Sequence, residues 1–244
     1  MLFYSGENCL DCGHLLKFSD NKATVLTVFS SHGSSEIKHH VKVCTKMACR
    51  NHYHYTYFTR KNVHFKEKKL AKFFYEHATK NSIFMLSSIT AFTVAFLISM
   101  LTDMMLCPEY SFQQKATAFN LSVLSGNTVM NKQRLIEAFM LFALLEMLKT
   151  YQPELRLSTC PFSFNLDENL LKFTPSIKDS FQKLHAKHSC AVPGCRLVIG
   201  WDADCKVIIC ECPFDDKLFR MNILINYTDC SLEMRLSNRR DCQL

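Results

Sequence analysis

Four cysteines in the first fifty residues carry the strongest chemical signal: Cys9-x2-Cys12, then Cys44-x4-Cys49, the two pairs 31 residues apart. A close pair on one tight turn aims both sulfurs at a single point, and two such turns can bring four thiolates to a tetrahedral zinc ion. Four thiolates fill that shell. The pattern is that of a closed structural site, since a catalytic zinc keeps one position open beside a general base. The competing uses of these thiols are two disulfides or free core side chains. The chain has 13 cysteines, an odd number, and residues 1–10 lack a charged segment followed by an apolar one. Reduced thiols and a metal are therefore expected.

A second cluster lies towards the C-terminus: His188-x-Cys190-x4-Cys195, then Cys205, Cys210 and Cys212. Pro193-Gly194 makes a turn that lets Cys190 and Cys195 converge. His188, Cys190, Cys195 and Cys212 are the expected ligands of a second zinc, with Cys210 competing for a place; a buried thiol cluster without metal is the other reading. Cys107, Cys160, Cys230 and Cys242 have no partner at ligand spacing and read as small core hydrophobes.

The first cluster needs strands to hold it. Apolar runs at 23–29 and 40–43, separated by residues 30–35 with Gly33, predict a β-hairpin carried between the two cysteine turns, a zinc-ribbon-like arrangement. Beyond Cys49, alternation puts Tyr53, Tyr55 and Tyr57 on one strand face. There they either pack on their own module, the favoured reading, or stack on bases.

The formal charge is +7, and its excess is local. Residues 1–80 hold 13 Lys and Arg against 6 Asp and Glu, whereas residues 81–244 hold 16 of each. The run Arg60, Lys61, Lys66, Lys68, Lys69 and Lys72 follows the cysteine module. It suits nucleic-acid phosphate or an anionic membrane surface, against the plainer reading of a solvated helix face.

The middle of the chain reads as helical. Residues 83–106 form an apolar run with Asp103 as its one charge, long enough to cross a bilayer with the lysines before it on the cytoplasmic side. Ser87, Ser88, Thr90, Thr93 and Ser99 interrupt it, however, and a second helix is predicted over Lys132–Tyr151. There Leu135, Phe139, Phe142, Leu145 and Leu148 recur every three or four positions, with Glu137, Glu146 and Lys149 on the wetter side. A buried helix at 83–106 covered by this second one is the preferred reading, and a single membrane span the alternative. Residues 153–187, with Pro161 and Pro175, read as a connector holding one short helix near 176–185.

Catalytic chemistry is missing. No phosphate-binding glycine loop, nucleophile elbow or His-Glu-x-x-His helix is present, and the acidic residues form no constellation. No catalytic residue and no small-molecule substrate are expected.

With these residues in view, the chain resembles the cysteine-cluster regions associated with KDZ (Kyakuja–Dileera–Zisupton) transposases. The likeness runs through Cys9-x2-Cys12, the Val25-Leu26-Thr27-Val28-Phe29 strand, Cys44, Cys49 and the Tyr53-His54-Tyr55 run. It continues at Phe92, Ser111-Phe112, Ala118-Phe119-Asn120 and the helix opening at Asn131, and it reaches Cys190-Ala-Val-Pro193-Gly194-Cys195, Asp202, Lys206 and Cys212. Ala203 stands where the family pattern has glycine. The resemblance implies a zinc-chelating, non-catalytic region of a mobile-element protein, nuclear, binding nucleic acid or supporting assembly. A zinc-dependent protein-interaction module is a further alternative. The expected fold is α+β: a zinc-ribbon-like module at 1–60, a basic and apolar helical region with its connector at 61–182, a second cysteine-rich module at 183–215 and a tail at 216–244.

Overall fold

The computed structural model describes residues 1–19, 23–61, 70–106, 111–122 and 128–185. Among them the fold is α+β, with two sheets and four α-helices. His188, Cys190, Cys195, Cys210 and Cys212, like Lys66, Lys68 and Lys69, lie outside the described residues.

The first sheet is antiparallel throughout. Its strands are β1 (Leu16–Phe18), β4 (Lys42–Cys44), β5 (His52–Tyr53), β6 (Tyr57–Lys61) and β7 (Leu70–Phe74), side by side in that order. The second has the order β3 (Gly33–His39), β2 (Thr24–Ser30), β9 (Thr90–Thr93) and β8 (Ile83–Met85), with β2 and β9 parallel. The ladder of β6 with β7 continues the first sheet across position 61.

The hairpin expected from 23–29 and 40–43 is paired differently. β2 turns through Ser31 and His32 into β3, with Ser30 opposite Gly33. Gly33 has φ +125°, open mainly to glycine, and the Ser30 hydroxyl donates to its carbonyl at 3.0 Å. β3 reads as loop by composition because its side chains are mostly polar; as an edge strand it needs apolar contact only at Ile37 and His39. Val43 leaves this hairpin and pairs with Lys17 in the first sheet.

The apolar run at 83–106 is not one helix. Ser87 bends it: its hydroxyl accepts from the amides of Ile89 and Thr90, and β8 and β9 pair antiparallel with Phe84 opposite Phe92. Only α1 (Val94–Leu106) is helical, 13 residues or about 20 Å long. Among the described residues no helix is long and apolar enough to cross a membrane. A hydropathy window cannot distinguish such a strand–turn–strand–helix from a span, since buried strands are as apolar as a membrane helix.

Helix α2 (Phe112–Ser122) is followed by α3 (Lys132–Tyr151), which has the predicted bounds. The Asn131 side chain accepts from the amides of Gln133 and Arg134, at 2.7 and 3.4 Å, and so caps it. Glu137, Glu146 and Lys149 are half-buried and mark its wetter side, but most other residues from Leu135 onwards are buried, so α3 is a central helix. Helix α4 (Leu166–His185) begins ten residues before the short helix expected near 176 and continues through Pro175. Asn165 accepts from the Asp167 amide at its start, and buried Leu170, Phe173 and Ile177 anchor it.

Two apolar clusters result, one on each face of the first sheet. Tyr57 and Phe74 point into the main core with Leu26, Phe84, Phe92 and Phe139. Their neighbours Phe58 and Phe73 point the opposite way, with Tyr53 and Tyr75, into a smaller cluster that contains Cys9 and Cys44.

Candidate metal centre

The first cysteine sits on a turn locked by its own backbone. The Cys9 amide donates to the His14 carbonyl at 2.8 Å, and the Gly13 amide donates back to Cys9 at 2.9 Å. Gly13 closes the turn at φ +70°. Cys44 ends β4 opposite Leu16, and the loop after it is closed by the Cys49 and Arg50 amides, both donating to the Lys46 carbonyl. The turns are tied together where Thr45 donates to the Leu15 carbonyl from its amide, 3.1 Å, and its hydroxyl, 2.9 Å.

These constraints gather Cys9, Cys12, Cys44 and Cys49. Their sulfurs all lie within 4.8 Å of one another, and each short approach joins one turn to the other: Cys9 to Cys49 at 3.6 Å and Cys12 to Cys44 at 3.5 Å. Ligands at about 2.3 Å from a tetrahedral centre are ~3.8 Å apart, so the quartet is sized for one ion. No disulfide links them. Cys9 and Cys44 are buried, Cys12 and Cys49 half-buried. Four cysteines so placed could hold a metal ion.

Donors surround the sulfurs. The amides of Asp11 and Cys12 serve Cys9, that of Lys46 serves Cys44 and that of Asn51 serves Cys49. Burial alone would raise the Cys9 thiol, but the Tyr53 hydroxyl and these two amides outweigh it and hold Cys9 at about 7. Burial dominates at Cys44 and Cys49 and pushes both up. A metal cation favours deprotonation at all of them.

No protein-family model, curated protein or solved structure matches this chain.

The tyrosine stripe is split. Residues 54–56 turn between β5 and β6, so Tyr53 and Tyr57 face opposite clusters and both are buried, with Tyr55 half-buried. They pack within the protein, as expected, but do not share a face. Tyr53 does more than pack. Its hydroxyl accepts from the Leu10 amide at 2.9 Å and lies 3.1 Å from the Cys9 sulfur. Asp11 and Asn51 form a second tie that residue types alone did not reveal: the Asn51 side chain donates to Asp11 at 2.7 Å, and Arg60 pairs with the same carboxylate at 3.1 Å.

The expected cationic face loses described members. Arg60 is committed to Asp11 and stacks 3.9 Å over the Phe73 ring. Lys61 ends β6. Lys72 is interior, 4% exposed, with Nζ donating to the Leu86 carbonyl at 2.7 Å and lying over the Tyr57 and Phe164 rings. Burial lowers its amine to about 8 against the opposing pull of Glu137. A lysine on alternating β7 points inward with Phe74, so its Nζ faces the interior rather than solvent.

Proposed function

We propose that Cys9, Cys12, Cys44 and Cys49 hold one structural zinc ion, and that the chain is a zinc-organised, non-catalytic binding module. The carrying observation is the sulfur quartet at tetrahedral spacing with amide donors already directed at Cys9, Cys44 and Cys49. Soft thiolates select zinc over hard cations, and a full thiolate shell leaves no position for water. The ion would fasten the two turns to β1 and β4, a zinc-ribbon-like device on the edge of a larger sheet. A role as an accessory region of a mobile-element protein, as the family resemblance implies, agrees with this reading.

Metal removal is the test. Chelation should abolish amide-exchange protection over residues 8–19 and 42–61 while α3 stays protected longer, because site formation and local folding are linked. Unchanged protection over those strands rejects a structural metal.

Nucleic-acid binding, with a nuclear location, is a second reading, favoured by the charge excess in residues 1–80 and by exposed Lys17, Lys38, Lys46 and Arg50. Affinity for duplex and single-stranded DNA should fall steeply with salt if it holds. The buried Tyr53, Tyr57 and Lys72 give it less support than the zinc-dependent protein-contact reading receives.

A further inference from the structure

The two cysteine turns present side chains that the metal does not use. Leu10 follows the first ligand and is 51% exposed, Leu15 closes that turn at 65%, and Met47, inside the second turn, is 72% exposed. Single exposed aliphatics are ordinary on a protein surface. Leu10 and Leu15 flank the first cysteine turn and Met47 lies in the second, and the two turns are joined by the converging sulfurs and by the Thr45 hydrogen bonds to the Leu15 carbonyl. The turns carrying them are short and cross-tied, so the apolar atoms stand on a rigid base.

Cations rim the same turns. Lys46 precedes Met47, and the Arg50 guanidinium lies 3.2 Å from the Met47 sulfur. Lys17 stands two residues along from Leu15 and is exposed, as are Lys46 and Arg50. The acid of the first turn, Asp11, is taken up by Asn51 and Arg60, which leaves the rim net positive at this end.

We infer that the two cysteine turns form a docking surface for an acidic, apolar peptide segment of a partner protein. The inference rests on the zinc reading, since the ion holds the turns together. Charge complementarity identifies the occupant: Lys17, Lys46 and Arg50 attract carboxylates, while Leu10, Leu15 and Met47 receive leucine- or phenylalanine-like side chains. Nucleic acid fits less well, because aliphatic side chains give bases no stacking platform and the tyrosines that could are buried.

The experiment selects random displayed peptides on the full-length chain, with zinc per chain counted in parallel. Enriched peptides should combine Asp or Glu with large apolar residues. Their affinity should fall about tenfold or more in a Leu10→Ser, Met47→Ser double variant that keeps the parent's zinc count. A zinc-loaded parent that enriches nothing overturns the proposal alone, as do peptides that bind the double variant equally well. The proposal also fails if a labelled oligonucleotide or a phosphatidylserine vesicle occupies these residues and the peptides do not compete. A parent lacking zinc at the quartet overturns the metal reading and this proposal with it.

Discussion

The Tyr53 hydroxyl lies 3.1 Å from the Cys9 sulfur while accepting the Leu10 amide at 2.9 Å. An oxygen already accepting from an amide turns its own hydrogen elsewhere, and the Cys9 sulfur is the acceptor within reach. The ring is buried, stacked between Tyr4 at 5.2 Å and Phe58 at 5.1 Å, so the hydroxyl has little freedom to leave. A phenol on the inner side of the quartet thus steadies the Cys9 sulfur and shields it.

Tyr53→Phe keeps the packing and deletes that donor. The variant should retain its zinc, lose about 1–3 kcal/mol of stability because the Leu10 amide is left without its acceptor, and release zinc several-fold faster when alkylated. Urea unfolding and a metal-indicator dye read the two effects. Release at the parent's rate contradicts a donor role for the hydroxyl.

Acid should loosen the joint between the sheets. His39 of β3 stacks on His54, between β5 and β6, at 5.3 Å, and His54 stacks on Tyr57 at 4.5 Å. Both rings are buried, and among the described residues neither nitrogen of His39 nor Nδ1 of His54 has a hydrogen-bond partner. Burial, then His40, lowers His39 to about 4; burial, then His39, His52 and Lys72, lowers His54 to about 3. Depressed folded-state values mean that the unfolded chain binds these protons first. Stability is therefore whole above about pH 6.5 and declines as pH falls towards 4, by an amount on the order of 3 kcal/mol for each ring. A His39→Phe, His54→Phe variant should show a flatter decline than the parent in denaturant midpoints between pH 7 and 4.5. Parallel declines would place the acid sensitivity elsewhere.

Lys72→Met tests how the cationic run is divided. With Nζ held on the Leu86 carbonyl inside the fold, the substitution should change DNA affinity and its salt dependence by less than about twofold, measured by fluorescence anisotropy. A loss of about one phosphate contact from the salt slope would mean that Lys72 reaches solvent after all.

Residue spacing made parts of this fold readable and hid others. The quartet was legible because ligand geometry is local within each turn, and two turns of known type have few ways to share an ion. Helix α3 was legible because its apolar period and the Asn131 cap agree. β3 was not, since an edge strand can pair through backbone alone and its Ser34, Ser35 and Glu36 carry no strand signal. The 83–106 segment misled because hydropathy reports burial and not conformation; the two amide-to-hydroxyl bonds that matter both end on one residue, Ser87. Pro175 hid α4, although a proline costs a helix one bond and a steric clash that buried Phe173 and Ile177 can offset here. Tyr53 lay beyond reading of another kind: its partners Cys9 and Leu10 stand more than forty residues earlier, so its role exists only after the strands have paired.

The most direct test counts zinc and locates it. Native mass spectrometry of the purified chain, beside a Cys9→Ser, Cys44→Ser variant, should show one zinc fewer in the variant, and X-ray absorption of the ion lost should give four sulfurs at about 2.3 Å. Equal zinc counts in the two proteins, or a first shell containing water or nitrogen at that site, would contradict a closed four-thiolate centre.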